Sequence, residues 1–438
     1  MANVFTLTDG TTTISLNAGS YLTTSYKMAT PDSRDPDHAT ETLEVLISGA
    51  SLSAIQTNVR AVELLLEAAK RRFTNQSGPR IFFTVQWDGE GSAWRAEVTD
   101  GRLETEEAPD QLRRGRVETA LILTRGPFEG DEVQLTLTNA NGTNNTAGLV
   151  IWNHNDGGAG HDNWASIDAA EVGGTLPAPV RVRFVSNISG SRYWRGWWIS
   201  TNPYTDQANF THVIEGEDRV TGYGTITANA TCSGGNYNSL SVTASGQMQW
   251  DISAADVARA GGHPFRILAR FHGSNNNLHY AQACIYDATG FVELLSGDLV
   301  QSDTYGVMDL GVLRIPPDVY ATGYGAVRLI IKLYVTGTKT IALDYIQLMP
   351  ADTTRMMVQR GMTHVLNTEN GFDESEGRAY GGTAAAGTPI YIMKGAPLLL
   401  EPGKTQRLYL LVTDSTGGSD IADNWTVQAW YRPRRWSV

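Results

Sequence analysis

The segment Val213–Pro350 constrains the fold more than any other, because carboxylates stand at both of its ends. It opens with HVIEGEDRVTG and closes with TIALDYIQLMP. In a strand, Glu215 and Glu217 would project from the same face, since side chains alternate with a period of two. Asp344 lies among apolar neighbours in the last strand, where an unpaired carboxylate is costly. The two ends of the segment are therefore candidate positions for an acidic site.

Two interpretations of these carboxylates are open. Three carboxylates meeting at one edge of a sandwich would offer the oxygen ligands that Ca²⁺ prefers. Alternatively, Glu215 and Glu217 are solvated charges at a sheet edge, and Asp344 caps a loop. The residues alone favour neither interpretation.

The segment resembles the β-jelly-roll carbohydrate-binding modules that begin with an E-x-E strand and end with an L-D-Y/W-I strand. Its middle, GGNYNSLSVTASGQMQWDISAADV followed by HPFRILARFHG, is also similar to theirs. The resemblance covers about a third of the chain. It implies a jelly roll over residues 213–350 in which Glu215, Glu217 and Asp344 hold a structural calcium ion.

Three tyrosines of this segment are candidate carbohydrate-binding residues. We expect Tyr237, Tyr280 and Tyr305 to lie in loops, and loops on a rigid sandwich are where ligands usually bind. The alternative for each of them is that the ring packs against its own loop.

Composition indicates a mainly β protein of two to four domains. The chain has 438 residues, 45 glycines and only 18% charged residues, which favours many short strands joined by turns. Its net charge of −12 makes sequence-specific nucleic-acid recognition an unfavoured function. An acidic channel could still let DNA slide past, because it repels phosphate.

The N-terminus shows no signal-peptide pattern, and no apolar run is long enough to span a bilayer. Cys232 and Cys284 are the only cysteines, so they are expected to be small buried apolar residues rather than a disulfide framework. These features predict synthesis in a cytoplasm.

Residues 1–127 are predicted to form a small β-sandwich with one packed helix. The helix is expected over Ser53–Phe73, where apolar residues recur at steps of three and four. Ser53 and Gln56 have the spacing of a capping box.

A second sandwich is predicted from residues 128–212 together with 351–438, so that the jelly roll of 213–350 is an insertion in it. The segment SRYWRGWWIS places Tyr193, Trp194, Trp197 and Trp198 close together. Aromatic residues on both faces of a strand are more often core than a sugar platform.

No common catalytic signature occurs in the sequence, and we expect a protein that is not an enzyme. Paired carboxylates for glycoside hydrolysis stay an open alternative, since their separation depends on the tertiary structure.

Further segments resemble tail proteins of long-tailed phages. They are VETALILTRGPFEG, VGGTLPAPVRVRFV and the C-terminal stretch from PLLLEPGKTQRLYLLV to VQAWYRPRRWSV. The first domain is similar to the tail-tube-like module of distal-tail and tail-tube proteins, which form hexameric rings around a DNA channel. Distal-tail proteins commonly add an outward galectin-like or carbohydrate-binding sandwich.

The resemblance implies a virion protein of the tail, assembled in the host cytoplasm, whose partners are its own copies, tube and hub proteins and a cell-surface glycan. It implies a distal-tail or baseplate ring. The alternatives are a tail-tube protein with a decoration domain and a stand-alone carbohydrate-binding protein.

Overall fold

The computed structural model confirms a mainly β protein built from several sheets and one long helix. It describes residues 3–31, 34–75, 77–105, 115–154, 160–187, 194–201, 213–260, 262–272, 279–302, 306–314, 327–358, 372–373, 378–381, 388–389, 393–414 and 423–438. Among these residues, no helix has the length and apolar character to cross a membrane. The chain divides into two compact units, one comprising 1–133, 173–176 and 432–438, the other comprising 134–172 and 177–431.

The first unit is an antiparallel sheet with a helix packed on it. Its first seven strands are β1 (Val4–Thr8), β2 (Thr13–Ser15), β3 (Tyr21–Lys27), β4 (Ala39–Ser48), β5 (Ile81–Gln86), β6 (Trp94–Thr105) and β7 (Arg116–Glu129). They are ordered β2-β1-β5-β6-β7-β4-β3, and every pair is antiparallel. Alternate residues of β4 and β5 are buried, as expected for strands with one face on a core.

Helix α1 spans Leu52–Asn75 and begins one residue earlier than predicted. Ser51 caps it, because its hydroxyl accepts a hydrogen bond from the Ala54 amide at 3.2 Å, so the predicted capping box at Ser53 is wrong. The buried stripe comprises Ile55, Val62, Leu65, Leu66 and Ala69. Phe73, which was predicted to continue this stripe, is 59% exposed and contacts His38 edge-on.

The last residues of the chain belong to the first unit, which corrects the prediction that 351–438 lies wholly in the second sandwich. The strand Arg434–Arg435 pairs with β7. The backbone oxygen of Trp436 accepts a hydrogen bond from Arg125 at 2.9 Å, and Val438 packs on the core of the sheet. The sequence-based prediction was wrong for these residues because a two-residue strand is too short to show an alternating hydrophobic pattern.

The second unit contains a sandwich of two sheets. Its strands before residue 213 are β8 (Val133–Gln134), β9 (Leu137–Asn139), β10 (Gly142–Asn144), β11 (Leu149–Trp152), β12 (Trp164–Ile167), β13 (Ala178–Ser186) and β14 (Trp194–Thr201). The later strands are β26 (Thr354–Val358), β27 (Phe372–Asp373), β28 (Arg378–Gly381), β29 (Thr388–Pro389), β30 (Met393–Gly395), β31 (Leu399–Leu400), β32 (Gln406–Asp414) and β33 (Asn424–Tyr431). The last strand of the chain, β34 (Arg434–Arg435), is the one that pairs with β7 in the first unit.

Early and late strands pair with each other in both sheets of this sandwich. One sheet has the order β10-β9-β12-β32-β14-β26-β30, and the other contains β11-β33-β13-β27-β28-β29. Residues from both sheets form one core, in which the rings of Trp197 and Trp425 lie 5.4 Å apart. Trp198 is buried on the opposite face of β14, so the core interpretation is confirmed for Trp197 and Trp198. Tyr193 lies outside the described residues.

Residues 213–350 form two further sheets around a core of their own. Their elements are β15 (Val213–Glu215), β16 (Thr225–Ala228), β17 (Asn236–Val242), β18 (Ser245–Ile252), α2 (Ala254–Ala260), β19 (Pro264–His272), β20 (Tyr280–Asp287), β21 (Glu293–Ser296), β22 (Val300–Gln301), β23 (Val307–Arg314), β24 (Val327–Tyr334) and β25 (Lys339–Pro350). One sheet has the order β16-β17-β25-β19-β23, with β15 on β25. The other has the order β18-β24-β20-β21, with β22 on β20.

The two sandwiches of the second unit share a buried contact. Trp198, Tyr409 and Leu411 of the first sandwich cluster with Leu268, Val307, Tyr345 and Met349 of the second. Within this contact, Asn163 donates a hydrogen bond to Gln347 at 2.6 Å, and the Tyr345 hydroxyl donates one to the Asn153 carbonyl at 3.0 Å. Because both sandwiches belong to one compact unit, the predicted boundary between them at 213 and 350 stays a prediction.

Candidate functional site

The two predicted glutamates lie at the start of the jelly roll, but not in one strand. Glu215 is the last residue of β15, whereas Glu217 lies in a single 3₁₀ turn, Gly216–Asp218. Gly216 runs so close to β25 that a Cβ there would lie 2.3 Å from the Leu343 carbonyl oxygen. The chain therefore turns at the glycine, which corrects the prediction of a continuous E-x-E strand.

Asp344 is fully buried because β25 is irregular at this position. Across β19 and β25, Arg270 is opposite Tyr345 and Phe271 is opposite Leu343, so Asp344 is the extra residue of a β-bulge. A bulge interrupts the alternation of a strand and redirects one side chain. This explains how a carboxylate occurs between Leu343 and Tyr345, which are both buried.

Ser233 connects two of the carboxylates. Its backbone amide donates a hydrogen bond to Asp344 Oδ1 at 2.8 Å, and its hydroxyl donates one to Glu215 Oε1 at 2.9 Å. The next residue, Gly234, has φ +62°, and a Cβ there would lie 2.5 Å from Glu217 Oε1 and 3.8 Å from Glu215 Cδ. The turn Ser233–Gly235 thus brings Glu215, Glu217 and Asp344 into one cluster, which we call the carboxylate cluster.

One buried cation faces this cluster. Arg270 Nε lies 3.2 Å from Asp344 Oδ2, and both side chains are almost entirely buried. If all three carboxylates are ionised, the cluster and Arg270 together carry two excess negative charges. Buried charge that is not compensated is strongly unfavourable. The cluster therefore needs a proton, a bound cation or both.

The electrostatics of Glu215 reflect this imbalance. Burial is the main cause that raises its pKa from the ordinary 4.5 to about 9. The Ser233 hydrogen bond opposes this rise, and the charges of Asp344 and Glu217 contribute to it. Burial also raises the pKa of the neighbouring Cys232 thiol to about 12, with Asp344 adding to the effect. A proton on Glu215 is one way for the molecule to relieve the excess charge.

A divalent cation is the other way, and the donor atoms fit calcium in type and charge. Glu215 Oε2 and Glu217 Oε2 are buried and have no hydrogen-bond partner among the residues that the structure describes. Oxygen ligands and two compensating charges are what Ca²⁺ supplies and requires. Across the described ranges, however, no three His, Cys, Asp or Glu side chains are arranged as a ready-made metal site. The structural calcium at Glu215, Glu217 and Asp344 stays a prediction.

The structure describes two of the three predicted sugar-binding tyrosines and places them in different sheets. Tyr237 lies within β17 and Tyr280 begins β20, so both belong to strands rather than loops, and the strands belong to different sheets. The Tyr237 ring contacts His272, with 5.1 Å between ring centroids, whereas Tyr280 is 43% exposed. Tyr305 lies outside the described residues.

Sequence reasoning missed two residues that contact the carboxylate cluster, Ser233 and Arg270. Ser233 has no distinguishing pattern, since it lies in a Gly- and Ser-rich turn. Arg270 did carry a signal, because it interrupts the apolar alternation of HPFRILARFHG opposite the strand that contains Asp344. An arginine within one apolar strand and an aspartate within another are a sequence pattern that indicates a buried ion pair.

Comparisons with known proteins find weak structural similarity alone. No protein-family profile matches the chain, and no curated protein matches it. A solved chain of the phage p2 baseplate in its activated conformation with strontium matches with a TM-score of 0.20 and 9% identity, covering 83% of this chain and all of that one. A second, from the phage P2 baseplate in its activated conformation with calcium, has a TM-score of 0.20 and 10% identity, covering 81% of this chain and all of that one. The chain thus has weak similarity to phage baseplate proteins, at a TM-score too low to show a shared fold.

Proposed function

We propose that this protein is a structural component of a phage tail, a distal-tail or baseplate ring protein without enzymatic activity. Six copies would surround the DNA channel through the first unit and display the β-sandwiches of the second outward. The observation that carries the proposal is the architecture, in which a sheet backed by one helix is combined with two β-sandwiches. That combination supports the phage-tail resemblance of the sequence.

The first unit has features suited to assembly. Strands β2 and β3 end its sheet, and a terminal strand can pair with a neighbouring molecule. Leu22 on β3 and Leu52 and Leu64 on α1 are exposed apolar side chains in the free chain. The net charge of −12 suits a ring through which DNA passes without binding.

The second unit has features suited to display. The buried contact around Trp198 and Tyr345 fixes the jelly roll on its neighbouring sandwich. A ligand site on the jelly roll would therefore have a fixed orientation relative to that sandwich. A weak carbohydrate site would gain strength from sixfold presentation, since linked sites act through effective concentration. We further propose that calcium binds the carboxylate cluster, and that tube and hub proteins of the virion are the partners of the ring.

The oligomeric state of the purified full chain tests the proposal. Multi-angle light scattering should give six times the chain mass of 47.6 kDa, and negative-stain images should show rings with a central channel. Particles purified from an expressed tail gene cluster provide the second arm, because some rings need a neighbouring ring as template. A monomer in solution together with no ring in assembled tails would overturn the proposal and favour a stand-alone carbohydrate-binding protein.

A further inference from the structure

The outer face of the five-stranded jelly-roll sheet carries a row of side chains that no predicted role includes. In β18, β24 and β20, the alternate residues Met248, Leu333 and Ala281 face the core. Their neighbours along the strands therefore face outward. In the register of the sheet, Tyr334 of β24 lies directly opposite Tyr280 of β20. Two tyrosines thus stand side by side on this outer face.

These two rings are open to solvent. Tyr280 is 43% exposed and Tyr334 is 36% exposed. Two rows further along the same strands, Ile330 and Cys284 are fully buried although they share the outward face. The outer face is therefore covered at its centre and open where the tyrosines lie.

A third tyrosine on the same face provides a contrast. Tyr286 lies on β20 at the next outward position after Cys284, and its hydroxyl donates a hydrogen bond to Glu293. Its ring contacts Phe291 and lies beneath Lys332. For the Tyr280 and Tyr334 hydroxyls, no bond to any described residue is found. Tyr286 is committed to the fold, whereas Tyr280 and Tyr334 present their rings outward.

The row next to the two tyrosines supplies polar groups. Lys332 lies between Gln247 of β18 and Gln282 of β20. The Gln282 amide nitrogen donates to the Gly297 carbonyl at 2.8 Å, which orients its amide oxygen. Amides beside aromatic rings combine hydrogen bonding with an apolar flat surface.

The charges of this face are already paired. Lys332 Nζ lies 2.7 Å from Glu293, and Arg328 Nε lies 2.6 Å from Asp251. Among the described residues of this face, a charged ligand would gain no unpaired partner. Two partly exposed rings also fall far short of the area of about 800 Å² per partner that a stable protein interface buries. The chemistry that remains is a neutral ligand with a flat apolar face and a rim of hydroxyls.

We propose that Tyr280 and Tyr334 form an aromatic platform for a neutral saccharide, with Gln247 and Gln282 bonding its hydroxyls. A sugar ring presents C–H groups on its face and hydroxyls at its rim, which matches rings flanked by amides. This inference rests on the proposed carbohydrate-binding role of the jelly roll and names its site. It replaces the predicted loop site, and Tyr334 is a residue that the sequence did not indicate.

Titration calorimetry of the full chain with cello-, manno-, galacto- and maltohexaose tests the platform. At least one of these hexasaccharides should bind the wild type. Tyr280→Ala and Tyr334→Ala should each raise its Kd by about tenfold or more, which corresponds to a loss of about 1.4 kcal/mol of binding free energy. Tyr286→Ala on the same face is the matched control and should leave Kd within about twofold. Thermal melting should show that the two exposed substitutions preserve the fold.

The outcomes separate this site from the wider proposal. Binding that survives both substitutions, or that Tyr286→Ala weakens equally, overturns the platform but leaves a carbohydrate-binding jelly roll. Wild-type protein that binds none of the four hexasaccharides overturns the platform and the display of sugar sites. Ring formation is measured independently by imaging, so its failure would be distinguishable from either result.

Discussion

Buried charge is handled differently in the two units. In the first unit, Arg125 and Glu41 are both fully buried and form an ion pair, with one positive charge to one negative. The Tyr26 hydroxyl donates to Glu41 at 2.7 Å, and Arg125 donates to backbone carbonyls, including that of Trp436. In the carboxylate cluster of the second unit, Arg270 pairs with Asp344, and Glu215 and Glu217 add two further acidic groups.

The difference separates a structural role from a binding role. A buried pair with balanced charges needs no further charge from outside the protein, and its function is to hold the chain together. In an unbalanced cluster, a proton or a bound cation compensates the excess charge and is therefore stabilising. Both regions contain buried charged groups, so the presence of buried charge does not distinguish them. They differ in whether the buried charges balance.

Among the single substitutions, breaking the balanced pair should lower stability the most at neutral pH. Arg125→Met leaves Glu41 buried without its cation and removes the bond to the chain end, so the unfolding free energy should fall by about 3–5 kcal/mol. Urea unfolding followed by tryptophan fluorescence measures this loss. The double variant Arg125→Met/Glu41→Leu is the control and should recover much of it. Equal losses in both variants would contradict the role given to charge balance.

Calcium should stabilise the unbalanced cluster and leave the balanced pair unaffected. A ligand bound by the folded state alone raises stability by about 2.7 kcal/mol at a hundred times its Kd. Thermal melting with calcium and with chelator measures this gain, which Asp344→Asn should abolish. Asp309→Asn is the matched control, because Asp309 pairs with Arg266 of the same strand as Arg270, at 2.6 Å. Identical melting of the wild type in calcium and chelator would rule out the calcium site.

Without calcium, the cluster should make stability depend on pH. The pKa of Glu215 is raised from 4.5 to about 9, so the folded protein holds this proton more tightly than the unfolded chain. The resulting stability is fully present below pH 4.5 and is lost as pH rises towards 9. The expected slope is about 1.4 kcal/mol per pH unit within that window.

Urea unfolding in chelator at a series of pH values measures this slope, and Glu215→Gln should flatten it. Saturating calcium should also flatten it in the wild type, because the cation then replaces the proton. A wild-type slope that matches that of Glu215→Gln would show that Glu215 is ionised in the folded protein throughout.

The smallest effect should come from the turn above the cluster. Gly234→Ala would place a Cβ 2.5 Å from Glu217 Oε1, in addition to the strain of its positive φ. Gly235→Ala carries a similar φ of +77° with open space around the Cβ, so it controls for strain alone. We expect Gly234→Ala to be the more destabilising by about 1 kcal/mol. Equal melting temperatures would place the Glu217 carboxylate away from this turn.

Much of the local structure could be predicted from the sequence. The 3.6-residue period identified α1, and alternation identified strands such as β4 and β33. Errors occurred where the hydrophobic period was misleading or where the segment was too short to show one. Phe73 continues the apolar stripe but is exposed, and Arg434–Arg435 is too short a strand to be recognised.

The candidate sites were predicted less completely. Asp344 was identified because a carboxylate among apolar residues is conspicuous, but its partners Arg270 and Ser233 were not. They lie far from Asp344 along the chain, and the bulge that turns Asp344 towards them depends on how β19 and β25 pair. Tyr334 was overlooked for the same reason, since its position opposite Tyr280 follows from strand register.

By itself, the sequence determined the β class, the long helix and the presence of costly acidic residues, because these follow from composition and from patterns within one strand or helix. The tertiary structure alone decided which charges share a partner, which aromatic rings stay exposed and where the chain end packs. Those properties depend on pairing between distant segments, and pairing is settled by the free energy of the whole packed chain rather than by any local pattern.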